Sequence, residues 1–196
     1  MTKPEFLYYH WGPALCKFTI DEDFRLGLLE RSKQLRSDFR GNLAGHIDKE
    51  YEFTDKEYFA RGFEKIFDTY KEHTEWWFHK KKFNKVDIIS LWVNFMQKGE
   101  FNPLHHHTGD YSFVIYLDVP EEIYSSNVVS TDEGGGPGTI YFHYGEISNK
   151  HVVSTQKFQP RTGELFIFPA TLGHSVAPFR SDVTRISMSG NFEIIE

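Results

Sequence analysis

Val86-Asp-Ile-Ile-Ser-Leu-Trp-Val-Asn-Phe-Met96 marks the point where the period of the chain changes. Before it, apolar residues recur at helical spacing; from it onward, short apolar runs are separated by turns containing Gly or Pro. Strands are expected at about 86–96, 112–119 (SFVIYLDV), 138–143 (GTIYFH), 152–158, 163–168 (GELFIF), 174–179 and 185–195 (RISMSGNFEII). Many short strands with such turns indicate a sandwich or barrel. Helices first and strands second is the order of an α+β fold, mainly β, rather than an alternating α/β one.

Upstream, residues 21–38 (DEDFRLGLLERSKQLRSD) begin acidic and end basic, as a helix dipole prefers, with Phe24, Leu28 and Leu35 for an apolar face. A stronger helix is expected from about Thr54, where Thr54 and Glu57 have capping-box spacing and Phe59, Phe63, Ile66, Phe67 and Tyr70 follow as a stripe. Such a stripe is the packing face of a helix lying on a sheet. The basic run Lys80–Lys82 reads as a solvated helix end. Glu133–Gly138 (EGGGPG) is not followed by Gly-Lys-Ser/Thr, so it is a turn into a strand and no P-loop.

The chain has 196 residues, enough for one well-buried core and too few for two comfortable domains. One domain is expected over 1–196, with 1–85 its helical N-terminal part and 86–196 its β core. Nineteen Phe, ten Tyr and four Trp supply that core. A formal net charge of −6 argues against non-specific binding to phosphate backbones. A lone cysteine, Cys16, forms no intramolecular disulfide and suits a reducing cytoplasm. The opening MTKPEFLYYHWGP lacks the basic start and apolar run of a signal peptide, and no apolar run approaches a membrane span. A cytoplasmic protein without a membrane partner is the expectation; oligomeric state is not legible.

Chemistry concentrates in Asn102-Pro-Leu-His-His-His-Thr-Gly-Asp110, between two expected strands. On extended backbone, residues two apart share a face, so His105 and His107 point one way and His106 the other. Two imidazoles on one face can share a divalent metal, and a third ligand must come from elsewhere; His174 lies in the later strand region. Arg185, Ser187 and Ser189 share one face of the last expected strand. An arginine fork beside a hydroxyl suits a carboxylate gripped through two hydrogen bonds.

The ordered set Trp92-x-Asn94, Gly99, Asn102-x-x-His105-x-His107, Ser112, Tyr116-Leu117-x-x-Pro120, Gly163-Glu-Leu-x-x-Phe168-Pro169, His174-x-Val176-x-Pro178 and Arg185-x-Ser187 with Asn191 resembles the iron(II)/2-oxoglutarate-dependent oxygenase superfamily. Within it the set is similar to a small oxygenase family frequent in marine bacteria and their tailed phages, where the compartment would be the host cytoplasm. The resemblance spans roughly residues 86–195. It implies a double-stranded β-helix (jelly-roll) core with the N-terminal helices packed on one sheet. It further implies Fe(II) as cofactor, 2-oxoglutarate as cosubstrate and O2 as oxidant. His105 would be the first metal ligand and His174 the distal one. Arg185, assisted by Ser187, would hold the far carboxylate of 2-oxoglutarate, with Asn94, Tyr116 and Tyr141 lining its pocket. The superfamily ordinarily places Asp or Glu two positions after the first His, where this chain has His107. Either three imidazoles bind the metal or Asp110 supplies the carboxylate; the H-x-H spacing favours His107.

The implied activity couples decarboxylation of 2-oxoglutarate to succinate with oxidation, most simply hydroxylation, of a primary substrate. Protein side chains, small molecules and nucleobases all remain open. Two rivals share the fold: a three-histidine cupin-type dioxygenase that needs no 2-oxoglutarate, and a non-enzymatic ligand-binding jelly roll with a closed structural zinc. Neither gives Arg185 a role. Trp92 and Phe101 are expected as an apolar wall beside the metal.

Overall fold

The computed structural model of the protein describes residues 12–78, 85–125, 135–145 and 153–195. Lys80–Lys82, Glu133, Gly134 and Val152 lie outside the described residues. In chain order the elements begin with β1 (Cys16–Thr19), α1 (Glu22–Ser32), β2 (Glu50–Glu52), α2 (Lys56–Phe78), β3 (Lys85–Met96) and β4 (Asn102–His105). There follow β5 (Tyr111–Asp118), the short α3 (Glu122–Ser125), β6 (Ile140–His143), β7 (Thr155–Phe158), β8 (Glu164–Pro169), β9 (Gly173–Val176) and β10 (Arg185–Ile195).

Both long helices start where a carboxylate satisfies free backbone N–H groups. The Asp21 side chain accepts from the N–H groups of Asp23 and Phe24, and two further acids follow in the first turn of α1. This helix stops at Ser32, short of the expected Asp38, because the N–H groups of Gln34 and Leu35 turn back onto the carbonyls of Arg31 and Ser32. At α2 the cap is Asp55 and not Thr54. The Lys56 N–H bonds to the Thr54 carbonyl in a tight turn, which puts the Asp55 carboxylate 3.1 Å from the Tyr58 N–H.

The strands form two antiparallel sheets, a large one in the order β1-β8-β5-β10-β3-β2 and a small one in the order β4-β9-β6-β7. The chain crosses repeatedly between them, which is the winding of a double-stranded β-helix. The N-terminal region, expected to be helical, also supplies both edges of the large sheet through β1 and β2. Their pairing with β8 and β3 covers edges that would otherwise expose unpaired backbone.

The large sheet is apolar on both faces. Its outer face receives α1 and α2, burying Phe24, Leu28, Phe59, Phe63, Phe67 and Tyr70 against Leu91, Val93, Phe113, Ile115, Met188 and Phe192. Its inner face meets the small sheet, where Met96, Val114, Tyr116, Ile140, Phe142, Phe166 and Phe168 pack together. Gly190 lies at a tight point of the outer layer. A Cβ there would come within 2.6 Å of Phe113 and of the Ser90 carbonyl, so this β10 position takes only glycine. Among the described residues no helix is long and apolar enough to cross a membrane.

Phe59 is fully buried and stacks on Phe113 at 5.0 Å between ring centroids. Phe59→Ala should leave a cavity between α2 and the sheet and cost about 3–5 kcal/mol of stability. Urea denaturation of the two proteins checks this, and a loss below about 1 kcal/mol would mean that α2 is not firmly docked.

Candidate active site

Three imidazoles meet between the sheets. Ligand-capable nitrogens of His105, His107 and His174 all lie within 4.8 Å of one another. Backbone register accounts for two of them, because His105 on β4 is paired directly with His174 on β9, and facing residues on neighbouring strands project to the same side. The third is set by the segment after β4. There the His107 N–H bonds to the Ala170 carbonyl, the Ala170 N–H to the Asp110 carbonyl, and the Asp110 N–H to the Phe192 carbonyl. Gly109 makes this close approach to β10 feasible: its φ is 93°, and a Cβ would lie 2.7 Å from the Phe192 carbonyl oxygen.

Asp110, the alternative to His107, is not brought to this cluster. It is exposed, and its carboxylate accepts the Ile194 N–H at 2.7 Å, fastening the loop to β10.

Two of the rings, His105 and His174, are oriented for binding through Nε2. Nδ1 of His105 lies 2.7 Å from the Pro103 carbonyl, and Nδ1 of His174 lies 2.9 Å from the Leu172 carbonyl. A carbonyl only accepts, so each Nδ1 carries the proton and each Nε2 keeps its lone pair. Burial, followed by repulsion from His105, lowers the pKa of His107 to about 4 and of His174 to about 3. His105 is lowered as well, chiefly by burial. Neutral imidazoles with free lone pairs are what a divalent metal requires, so the triad fits one, and these three residues could hold it.

The same cavity is lined by Asn94, Tyr116, Arg185 and Ser187, together with Trp92 as an apolar wall. Arg185 is only 2% exposed. One terminal nitrogen donates to the Gly138 carbonyl at 3.0 Å, and the other lies 2.8 Å from the Met96 sulfur. Its Nε has no partner, and no carboxylate pairs with it among the described residues. Its guanidinium stands 5.4 Å from the centroid of the Tyr116 ring, whose hydroxyl is likewise buried without a partner. Burial pulls Arg185 below its ordinary pKa and pushes Tyr116 above its own. A buried cation without a counter-charge is costly, and a bound anion relieves it. The residues present therefore fit a small carboxylate as well as a metal.

Tyr141 is not brought into the cavity. Alternation along β6 directs Ile140 inward, and Tyr141 stacks with His143 across the opposite face. Phe101 also stays outside, half-exposed and stacked on His46 at 4.7 Å. Sequence reasoning missed Glu50, Gly45 and the side chain of Asn102, all of which line the cavity. Asn102 belongs to the histidine segment but lies three residues before His105, so strict alternation would turn it away; the register shift between the two brings both to the cavity. Glu50 and Gly45 come from the N-terminal region, where no local pattern pointed to the site.

A double-stranded β-helix with convergent imidazoles and a buried, unpaired arginine between its sheets defines a metal-dependent enzyme class. Residues 90–191 match the family model described as "Putative 2OG-Fe(II) oxygenase", and the chain belongs to that family. It is accordingly an Fe(II)- and 2-oxoglutarate-dependent oxygenase, with O2 as oxidant. No curated protein sequence matches the chain. Among solved structures, it resembles a prolyl-4-hydroxylase from Pseudomonas putida with 14% identity, a TM-score of 0.57 and 93% of each chain covered. The viral collagen prolyl hydroxylase of Paramecium Bursaria Chlorella virus-1, in a 2-oxoglutarate complex, matches with 14% identity and a TM-score of 0.56, over 92% of this chain and 96% of that one. HygX from Streptomyces hygroscopicus, with nickel and 2-oxoglutarate bound, matches with 9% identity and a TM-score of 0.61, over 93% and 83%. At these identities the likeness is one of fold.

Replacing His174 by Ala should leave a folded protein with at least about tenfold weaker affinity for Fe(II) or Ni(II), because one of three converging ligands is lost. Metal titration followed by calorimetry checks it; unchanged affinity would remove His174 from the metal site. A second expectation concerns acid. Below about pH 6.5 the unfolded chain protonates His107, whereas the folded protein resists protonation until about pH 4. The stability that this neutral ring contributes is complete above pH 6.5 and is lost as pH falls toward 4. Metal-free His107→Gln protein should therefore lose less stability than the wild type between these pH values, as read from melting temperatures.

Proposed function

We propose that the protein is a hydroxylase in which His105, His107 and His174 hold Fe(II) and Arg185 holds the distal carboxylate of 2-oxoglutarate. The observation that carries this reading is the buried Arg185, whose Nε is unpartnered and which pairs with no carboxylate among the described residues, in the same cavity as the imidazoles. The bound iron and cosubstrate supply the oxidising chemistry, in which 2-oxoglutarate is decarboxylated to succinate and the primary substrate is oxidised.

The chain supplies position, charge and dryness. The Arg185 fork offers directional charge-assisted hydrogen bonds that fix the cosubstrate's orientation, with the Ser187 hydroxyl beside it. Asn94 and Tyr116 bring a carbonyl oxygen and a phenol, neither satisfied within the protein. The imidazoles remain neutral at physiological pH, so a metal need not displace protons from them. Trp92, Val114, Ile140, Phe168 and Val176 form apolar walls that exclude water and strengthen each polar contact inside.

A third imidazole in place of a carboxylate would also suit a cupin-type dioxygenase that needs no 2-oxoglutarate. Such an enzyme leaves Arg185 without a function, and Arg185 is what separates the two readings. Among the fold relatives, one prolyl hydroxylase is in complex with a peptide fragment and HygX has been seen with hygromycin B. The fold therefore accommodates both peptides and small molecules as primary substrates.

Anaerobic titration of the Fe(II)-loaded protein with 2-oxoglutarate tests the proposal through the weak visible absorption of the chelate. The wild type should give a saturable band. Arg185→Leu should weaken 2-oxoglutarate binding by about 10- to 100-fold, the equivalent of a lost hydrogen-bonded charge contact of ~1.5–3 kcal/mol. An unchanged midpoint in the variant would place the cosubstrate elsewhere. Iron bound with no band at all would favour the three-histidine dioxygenase.

A further inference from the structure

Glu50 is a buried carboxylate that the proposed chemistry leaves unused. It lies on β2, is 2% exposed, and its Oε2 has no hydrogen-bond partner. It lines the same cavity as the imidazoles and Arg185.

Register shows where in the cavity it stands. Tyr116 is opposite Ser187, Ser187 is opposite Asn94, and Asn94 is opposite Glu50, so the four form a row across the large sheet. With neighbouring strands ~4.8 Å apart, Glu50 is roughly 10 Å from Ser187 and farther from Tyr116. The chemistry changes along this row. One end offers donors, namely Arg185, Ser187 and the Tyr116 hydroxyl. The other offers acceptors: Glu50 Oε2 and the Oδ1 of Asn102, which is also buried and unpartnered.

The Gly45 segment closes over this second end. A Cβ on Gly45 would lie 2.2 Å from Asn102 Oδ1 and 3.1 Å from Glu50 Oε1, so a side chain there would have to displace both acceptors. The segment is tied down by the bond from the His46 N–H to the Phe101 carbonyl, at 2.9 Å. Burial first and Glu100 second push Glu50 up to about 7, against the pull of Arg40 and with a smaller push from Asp38. A carboxylate so placed feels Arg40 only at a distance and makes no ion pair among the described residues. It also repels an anion such as 2-oxoglutarate, which leaves this end of the cavity to the other reactant.

We propose that Glu50, with Asn102 beside it, is the specificity-determining residue for the primary substrate, and that it selects a group bearing a protonated nitrogen, either an alkylammonium or a guanidinium. This rests on the cosubstrate occupying the Arg185 end, as proposed above. A cation placed at Glu50 restores the charge partner that burial has removed and satisfies two orphaned acceptors at once. A neutral isostere leaves the carboxylate uncompensated.

The test uses Fe(II)-loaded protein held anaerobically with saturating 2-oxoglutarate. It is titrated calorimetrically with pairs of probes that differ in charge but little in shape: L-arginine against L-citrulline, and L-lysine against L-norleucine. Each is offered free and as the central residue of a short blocked peptide. In at least one pair the cationic member should bind about tenfold or more tightly than its neutral counterpart, as expected for a desolvated charge contact. Glu50→Gln should erase that preference without weakening 2-oxoglutarate binding, whereas Glu50→Asp should retain part of it. Melting temperatures confirm that both variants are folded.

Equal binding within every pair, no binding by any probe, or a preference that survives in Glu50→Gln would overturn the assignment. The titrations are repeated without 2-oxoglutarate. If the cosubstrate fails to bind the wild type, the Arg185 reading falls, while the charge preference at Glu50 is still judged by its own titration.

Discussion

The inner face of the large sheet is organised around a guanidinium that pairs with no carboxylate among the described residues. Transferring such a charge out of water is among the largest penalties a fold can carry. Around Arg185 the structure offers only partial compensation: the Gly138 carbonyl, the Met96 sulfur and the face of the Tyr116 ring. Each of these sits on a different segment, so the guanidinium also fixes the relation of β10, β3 and the turn before β6. Packing an apolar residue there would be the cheaper way to build the same core. A charge kept unpaired in this position is explained by an anion that completes it.

The large sheet allows this cavity to exist without loss of the core. It is covered on both faces, and the two faces do different work. Outward, the Phe59, Phe63, Phe67 and Tyr70 face of α2 supplies a dense aromatic layer with Phe113 and Phe192. Inward, the alternate residues of β10 are Arg185, Ser187, Ser189 and Asn191, all buried. A strand with polar residues on its inner side is tolerable because its outer side, through Met188, Gly190 and Phe192, is packed against helices. The N-terminal region thus stabilises the sheet from outside and, through β2 and the Gly45 segment, also completes the cavity from within.

Much of this was legible in the sequence wherever a period or a register rule applied. The longer strands followed from alternation and turn residues, and His105 and His107 from their two-residue spacing. The face of β10 that holds Arg185 and Ser187 was equally readable. Tyr141 shows what happens when a family likeness is followed without that rule: Ile140 and Phe142 are the apolar pair on β6, and their parity turns Tyr141 outward. At α2 the capping-box spacing of Thr54 and Glu57 competed with the neighbouring Asp55, and a local backbone turn decided between them. The short strands β1 and β2 have too few residues for a period to show. Their strand state comes from the neighbours they pair with, which is information carried by β8 and β3. Glu50 was invisible for that reason: it stands among His46, Asp48, Lys49 and Glu52, and only the pairing of β2 with β3 singles it out for the cavity.

Register is also what turns separate residues into a cavity with two chemically distinct ends. The row Tyr116–Ser187–Asn94–Glu50 crosses four strands, and a slip of one residue in any of them would send its member to the helix-covered face. Two irregularities on β10 lie on either side of the Ser187–Ser189 stretch: a shift against β5 between Ile186 and Ser187, and one against β3 between Asn191 and Phe192. Bulges fix register because the extra residue fits at only one place along the ladder, and at the second shift that residue is the half-exposed Ile89. Between them the strands pair without interruption, and the polar side chains face the imidazoles in fixed order. Donors gather where β5 and β10 meet, and acceptors gather where β3 meets the short edge strand β2. The direction in which two reactants of opposite charge can lie between the sheets thus follows from backbone pairing alone.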